Sequence, residues 1–276
     1  MKDRKDSNQS VSCIRTAYGD LYPNVSFDEP RKKYRESITY YKSGTLKSVY
    51  LEKKTQIKTA IGPVSTELVT FYENGSIKRL FPLYGQINGY WTEEDEYRLA
   101  EEISIPVLGK NIHCKPLCLH FYESGALKSV TLWRQMPVLV PTLQGDIVTK
   151  FGFSLTESGR LETIEPAFGT RIQTPYGIVK AYDSRHNLLH ADHNSLGFDY
   201  DGNILFAKTI ENRVRILQEE QVIKEFAPIL EKDFENEELL VRRPMTVRFE
   251  DGNVVVDLGN GEQTVWNPGN YRIEII

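Results

Sequence analysis

Side chains able to carry chemistry concentrate at two places in the chain. The run His113-Cys114-Lys115-Pro116-Leu117-Cys118-Leu119-His120 packs two imidazoles and two thiols, all zinc ligands, into eight positions. It leads directly into a turn at Gly125 and reads as a strand, where Cys114 and Cys118 stand about 13 Å apart, too far to share an ion. The thiols therefore read as small apolar groups of a sheet. The second place, His186-Asn187-Leu188-Leu189-His190-Ala191-Asp192-His193, holds three of the five histidines, with Asp183 close by. His-x-x-x-His spacing suits zinc, and imidazole beside carboxylate suits proton transfer. The flanking Asn194 and Ser195 favour a surface loop. His186, His190, His193 and Asp192 are thus the ligands to test if the chain is a metal-dependent enzyme or a metal-binding protein.

Other motifs carry less. Asp199-Tyr200-Asp201-Gly202-Asn203 has the opening of a calcium loop but no glutamate at the required distance, so the glycine reads as a hairpin turn. Neither a phosphate-cradling Gly-x-x-x-x-Gly-Lys-Ser/Thr nor a Gly-x-Ser-x-Gly elbow occurs. No cofactor is expected. The 276 residues carry 34 Lys and Arg against 38 Asp and Glu, a net charge of -4 that argues against nucleic acid as a partner. The most apolar window, Met136 to Leu143, is far short of the roughly 20 residues of a membrane helix and contains Pro137 and Pro141. With no apolar stretch behind the charged N-terminus and an odd count of 3 cysteines, the expectation is a cytoplasmic protein.

Positioning falls to a phrase that recurs along the chain. Tyr41-Lys42-Ser43-Gly44-Thr45-Leu46-Lys47, Tyr72-Glu73-Asn74-Gly75-Ser76-Ile77-Lys78 and Tyr122-Glu123-Ser124-Gly125-Ala126-Leu127-Lys128 are near-copies, and weaker versions surround Gly159, Gly202 and Gly252. Ser-Gly, Asn-Gly and Asp-Gly are hairpin signals, read here as two-residue turns with positive φ. In that register Tyr72 pairs with Ile77, while Tyr40, Phe71 and Phe121 face Lys47, Lys78 and Lys128 on the other side. A second phrase, Thr-x-x-Gly, alternates with the first and ends at Gly19, Gly62, Gly145 and Gly177, with a degenerate copy at Gly109. The spacing of these glycines, 32 to 47 residues, leaves room for about four short strands per unit. One helix is expected after Thr92, where a cap residue precedes the acids Glu93 to Glu96 and Leu99 and Ile103 stand four apart. The acids read as its solvated face.

The aromatic-acid-Asn/Ser-Gly-x-Leu/Ile-Lys phrase resembles the MORN-repeat variants, bacterial strings of Tyr-x-x-Gly-x-Leu-Lys hairpins. The resemblance covers about eight residues per copy, and the Thr-x-x-Gly phrase lies outside it. It implies an elongated, twisted antiparallel sheet and a role as a protein-binding scaffold, antitoxin-like in some members.

The resulting expectation is an all-β chain: a flexible tail over residues 1–12, a five-unit repeat domain over 13–216 and a capping segment with a final hairpin over 217–276. A five-bladed propeller is the alternative architecture. The leading function is non-enzymatic binding of a protein partner, with Tyr40, Lys47, Phe71, Lys78, Phe121 and Lys128 as the exposed surface and the Tyr41, Tyr72 and Tyr122 face as the alternative.

Overall fold

Glycine-centred turns and alternating strands shape the chain throughout. The computed structural model describes residues 13–26, 31–32, 34–183, 191–233 and 238–276. Strand accounts for 56% and helix for 2%, in large antiparallel sheets, as the hairpin phrases require. No closed barrel or propeller is found among the described residues, so the propeller alternative is set aside. The residues 1–12 expected as a flexible tail lie outside the described residues.

Two compact units form, one of residues Met1–Ile103 with Pro116–Leu127, the other of Ser104–Lys115 with Lys128–Ile276. In the first, the strands run in the order Pro116–Phe121, Ile77–Phe81, Gly62–Phe71, Leu46–Thr59 and Ile38–Tyr40. Val49, Ile57, Val69, Leu80 and Leu119 are fully buried in its core. In the second, Gln263–Trp266, Asn253–Asp257, Met245–Glu250, Ile204–Thr209, Leu196–Phe198, Leu161–Pro166, Gly145–Leu155 and Leu127–Leu132 follow one another in one sheet. Another sheet orders Arg171–Thr174, Gly177–Lys180, Arg272–Ile275, Val214–Gln218 and Gln221–Phe226. Of the segment 217–276, expected as a capping segment, Met245–Glu250, Asn253–Asp257 and Gln263–Trp266 lie in the first of these sheets, Gln221–Phe226 and Arg272–Ile275 in the second, and Ile229–Lys232 pairs with Leu240–Arg243 alone. Its final hairpin, at Asp251-Gly252, is present with Glu250 opposite Asn253.

The five hairpins at Gly44, Gly75, Gly125, Gly159 and Gly202 close identically. In the second of them, the Tyr72 N–H donates to the Ser76 carbonyl at 2.8 Å and the Gly75 N–H to the Tyr72 carbonyl at 3.0 Å. This is a three-residue loop with one left-handed glycine, Gly75 at φ +86, and not the two-residue primed turn expected from the sequence. Primed turns, with two successive positive φ values, occur instead at Leu108-Gly109, Glu219-Glu220 and Asp251-Gly252. The longer loop moves the register by one. Phe71 pairs with Ile77 and Tyr40 with Leu46, a bulge falling at Lys78 and at Lys47. A one-residue offset exchanges the two faces of a strand, so Phe71 and Ile77 point together into the core.

The tyrosines that open the first two phrases then have a structural task. The Tyr41 hydroxyl donates to the Phe71 carbonyl at 2.7 Å and the Tyr72 hydroxyl to the Phe121 carbonyl at 2.8 Å, linking successive hairpins of the first unit. The threonine of the other phrase works likewise within its own turn. The hydroxyls of Thr16, Thr59, Thr142 and Thr174 donate to the carbonyls of Gly19, Gly62, Gly145 and Gly177 at 2.6–2.8 Å.

The helix Glu93–Arg98 carries the capping box read from the sequence, Thr92 and Asp95 each bonding the other's backbone N–H. It ends before Leu99, and its only buried residue is Glu96. The acidic run is therefore not wholly a solvated face. Arg31 forks Glu67 at 2.9 and 3.0 Å and bonds Glu96 through Nε at 3.1 Å and a terminal nitrogen at 2.6 Å. The Trp91 indole and the Gly85 N–H each donate to Glu96 at 2.7 Å, and the Tyr84 N–H to Glu67 at 2.8 Å. A Cβ on Gly85 would come within 2.3 Å of a Glu96 oxygen, so only glycine allows this approach.

Two outcomes test this description. Gly75→Val should lower stability in urea denaturation by about 1–2 kcal/mol, and Gly75→Asn by less, because asparagine tolerates the left-handed region; equal midpoints for parent and valine variant would exclude the turn. Glu96→Ala should cost about 3 kcal/mol, since it strands two part-buried N–H donors and the two Arg31 bonds to Glu96, and a loss below 1 kcal/mol would show the network to be dispensable.

Candidate functional site

Register decides what becomes of the residues expected at a binding surface. Phe71 and Phe121 are 2% and 1% exposed, so the structure places them in the core and corrects their assignment to an open face. Tyr40 is exposed. Lys47 and Lys78 sit at the bulges and extend over the rings of Tyr41 and Tyr72, with Nζ 5.8 and 5.3 Å from the ring centroids. Lys128 is partly buried. The Tyr41 and Tyr72 face is thus covered by lysine stems, its hydroxyls already engaged with backbone.

The histidine-rich segment is only partly placed. His186 and His190 lie outside the described residues. His193 is exposed, and the Asp192 carboxylate accepts a 2.6 Å hydrogen bond from the Ser129 hydroxyl. Among the described residues, no group of three or more His, Cys, Asp or Glu is arranged to hold a metal ion. Cys114 and Cys118 are buried and not joined in a disulfide, and His120 is buried with Nε2 3.2 Å from the Tyr72 hydroxyl.

Within the second unit, turns that the sequence treats as separate features meet around one cavity of about 120 Å³. It is lined by Leu108 from one primed turn, Thr142 and Leu143 from a Thr-x-x-Gly turn, Arg160 and Leu161 after Gly159, and Phe198 to Gly202. The tips are tied together: the Gln144 side-chain amide donates to the Gly202 carbonyl at 3.2 Å, and Lys110 pairs with Asp146 at 3.0 Å. Asp199, read as a hairpin residue rather than a calcium ligand, accepts from the N–H groups of Asp201 and Asn203 at 2.9 and 2.8 Å and closes its own turn. Arg160 lies over Tyr200, its guanidinium carbon 3.2 Å from the ring centroid. Around this stack Leu108, Leu143 and Tyr200 are 46%, 66% and 76% exposed. An apolar floor, an oriented cation and exposed rim anchors make this the candidate site. Sequence reasoning marked its glycines as turns and missed Arg160 and Leu143, since nothing local shows that separate tips will converge.

A second cluster in the same unit is wholly internal. Glu165 is inaccessible to solvent and accepts from the Ser195 N–H at 2.8 Å and the Ser195 hydroxyl at 2.7 and 2.8 Å. Burial outweighs these bonds and, with the Asp183 charge nearby, pushes its carboxyl up to about 7. Asp183 in turn is 3.7 Å from the Lys208 ammonium.

Comparison of the chain with protein-family models, with curated proteins and with solved structures finds no match in any of the three. No helix among the described residues is long and apolar enough to cross a membrane.

The Glu165 environment generates a pH dependence. Folded Glu165 keeps its proton up to about pH 7, whereas the unfolded chain releases it in the ordinary carboxylate range, so between the two the folded state binds more protons. Its contribution to stability is full at low pH and is lost as the pH rises through about 7. Denaturation midpoints of the parent should therefore fall more steeply between about pH 5 and about pH 8 than those of Glu165→Gln; parallel profiles would show that Glu165 titrates normally.

Proposed function

We propose that the chain is a non-enzymatic β-hairpin repeat scaffold that binds a protein partner through the convergent turns of its second unit. The observation that carries this reading is the exposure of Leu143, Tyr200 and Leu108 together around one small cavity. Isolated apolar residues on a surface need no explanation, but an aromatic and two leucines held rigid by linked turns form the kind of anchor-and-pocket arrangement that dominates binding energy. The rigidity has a visible origin in the Gln144, Thr142 and Asp199 hydrogen bonds, which hold the loops before any partner arrives. Low ordering cost on binding follows. The resemblance of the hairpin phrases to MORN-repeat variants agrees with a scaffold role.

The test compares proteins captured from extracts of the source cell by the parent chain and by folded Leu143→Asp, Tyr200→Ala and Val265→Asp variants. A partner of this surface is retained by parent and by Val265→Asp, whose site lies in another strand, and is depleted by about tenfold or more with Leu143→Asp or Tyr200→Ala. Captured proteins that do not distinguish the four chains would reject the surface.

A further inference from the structure

The cavity at the convergent turns is chemically asymmetric. Its floor is Leu161 and Phe198, its walls are Leu108 and Leu143, and one edge is the guanidinium of Arg160. Tyr200 lies against that guanidinium, which carries its hydrogen-bond donors in the plane of the group. No described residue accepts a hydrogen bond from it or pairs with its charge, and its Nε is buried without a partner. Arg213 and Arg215 of the same unit bond Glu225, and Arg272 bonds Glu220. A partly buried cation held by a ring beside apolar space lacks one thing, an anion.

We infer that this cavity binds a carboxylate carried on a short aliphatic body, its oxygens forked by Arg160 and its carbon chain against Leu108, Leu143, Leu161 and Phe198. The size follows from the space. A closed cavity of roughly 150 Å³ accepts benzene, so 120 Å³ admits a branched body of about four or five carbons. The charge follows from the donor set, because planar forked N–H groups match a carboxylate and gain most where water is partly excluded. Asp199 does not compete effectively, as its carboxylate faces the N–H groups of its own turn. Asp201, exposed on the rim, is the opposing charge. The body and carboxylate could belong to a free short-chain acid or to a peptide ending in an aliphatic residue. The second source rests on the partner-binding reading above.

The experiment uses the full chain and amide chemical-shift titration with isovalerate, isovaleramide, a pentapeptide ending in a free leucine carboxylate and its C-terminal amide. Both acids are expected to shift the turn residues 142–145 and 199–203, with each neutral amide at least about tenfold weaker. Arg160→Met should weaken the acids by about tenfold or more, while Asp201→Asn should tighten them about threefold by removing a like charge at the rim. Because Asp201 is exposed, that variant remains informative if Arg160→Met fails to fold. Binding of isovalerate alone supports the carboxylate site with a free acid as its ligand and removes the cavity from the protein-binding reading. Binding of acid and amide with equal strength, indifference to Asp201→Asn, or no shift at millimolar isovalerate overturns the inference, and none of these results depends on whether a partner is captured.

Discussion

A chain reversal in a sheet leaves backbone groups without ladder partners, and the whole molecule is organised by how these are satisfied. Five hairpins close around a single left-handed glycine through the same two backbone hydrogen bonds. Where carbonyls remain at the ends of the ladders, a phrase residue reaches them: threonine within its own turn, tyrosine across to the next hairpin. The recurring Tyr and Thr are thus explained by backbone polarity. A buried carbonyl left open costs about 1–3 kcal/mol, comparable to a large side chain's worth of burial.

The two buried carboxylate clusters are built differently. Glu67 and Glu96 share Arg31 and accept backbone and indole N–H groups, so each oxygen faces a donor. That network fastens residues far apart in sequence and orients the one helix by its single buried side chain. Glu165 accepts its hydrogen bonds from Ser195 with the Asp183 charge nearby, and burial favours its neutral form. The same residue type contributes a structural clamp in one unit and a titrating group in the other.

These assignments also separate structural from available groups at the surface. Tyr41 and Tyr72 are engaged through their hydroxyls and covered by lysine stems, and Phe71 and Phe121 are interior. Arg160 and Tyr200 satisfy only each other, and Leu143 stands exposed at a tied loop tip. Side chains without a structural task therefore stand at these turns rather than in the strands.

Much of the architecture was legible from local signals. The β class, the positions of the recurring-phrase glycine turns, the capped helix after Thr92 and the final hairpin at Asp251-Gly252 follow from short stretches whose conformational preferences act within a few residues. The register was not legible. A two-residue and a three-residue loop around the same glycine differ by one bulge, and that bulge exchanged the two faces, sending Phe71 inward and setting Lys78 over Tyr72. The burial of Glu96 had one weak local sign, Gly85, whose missing side chain makes room for it, but its partner Arg31 lies 65 residues away. The cavity had no local sign at all. It exists because turns bearing Gly109, Gly145, Gly159 and Gly202 meet in space. The sequence by itself determined where the chain turns, because φ preference and hydroxyl capping are local. Only the tertiary structure decided which turns meet and which side chains remain unpaired, because both depend on packing between strands distant in sequence.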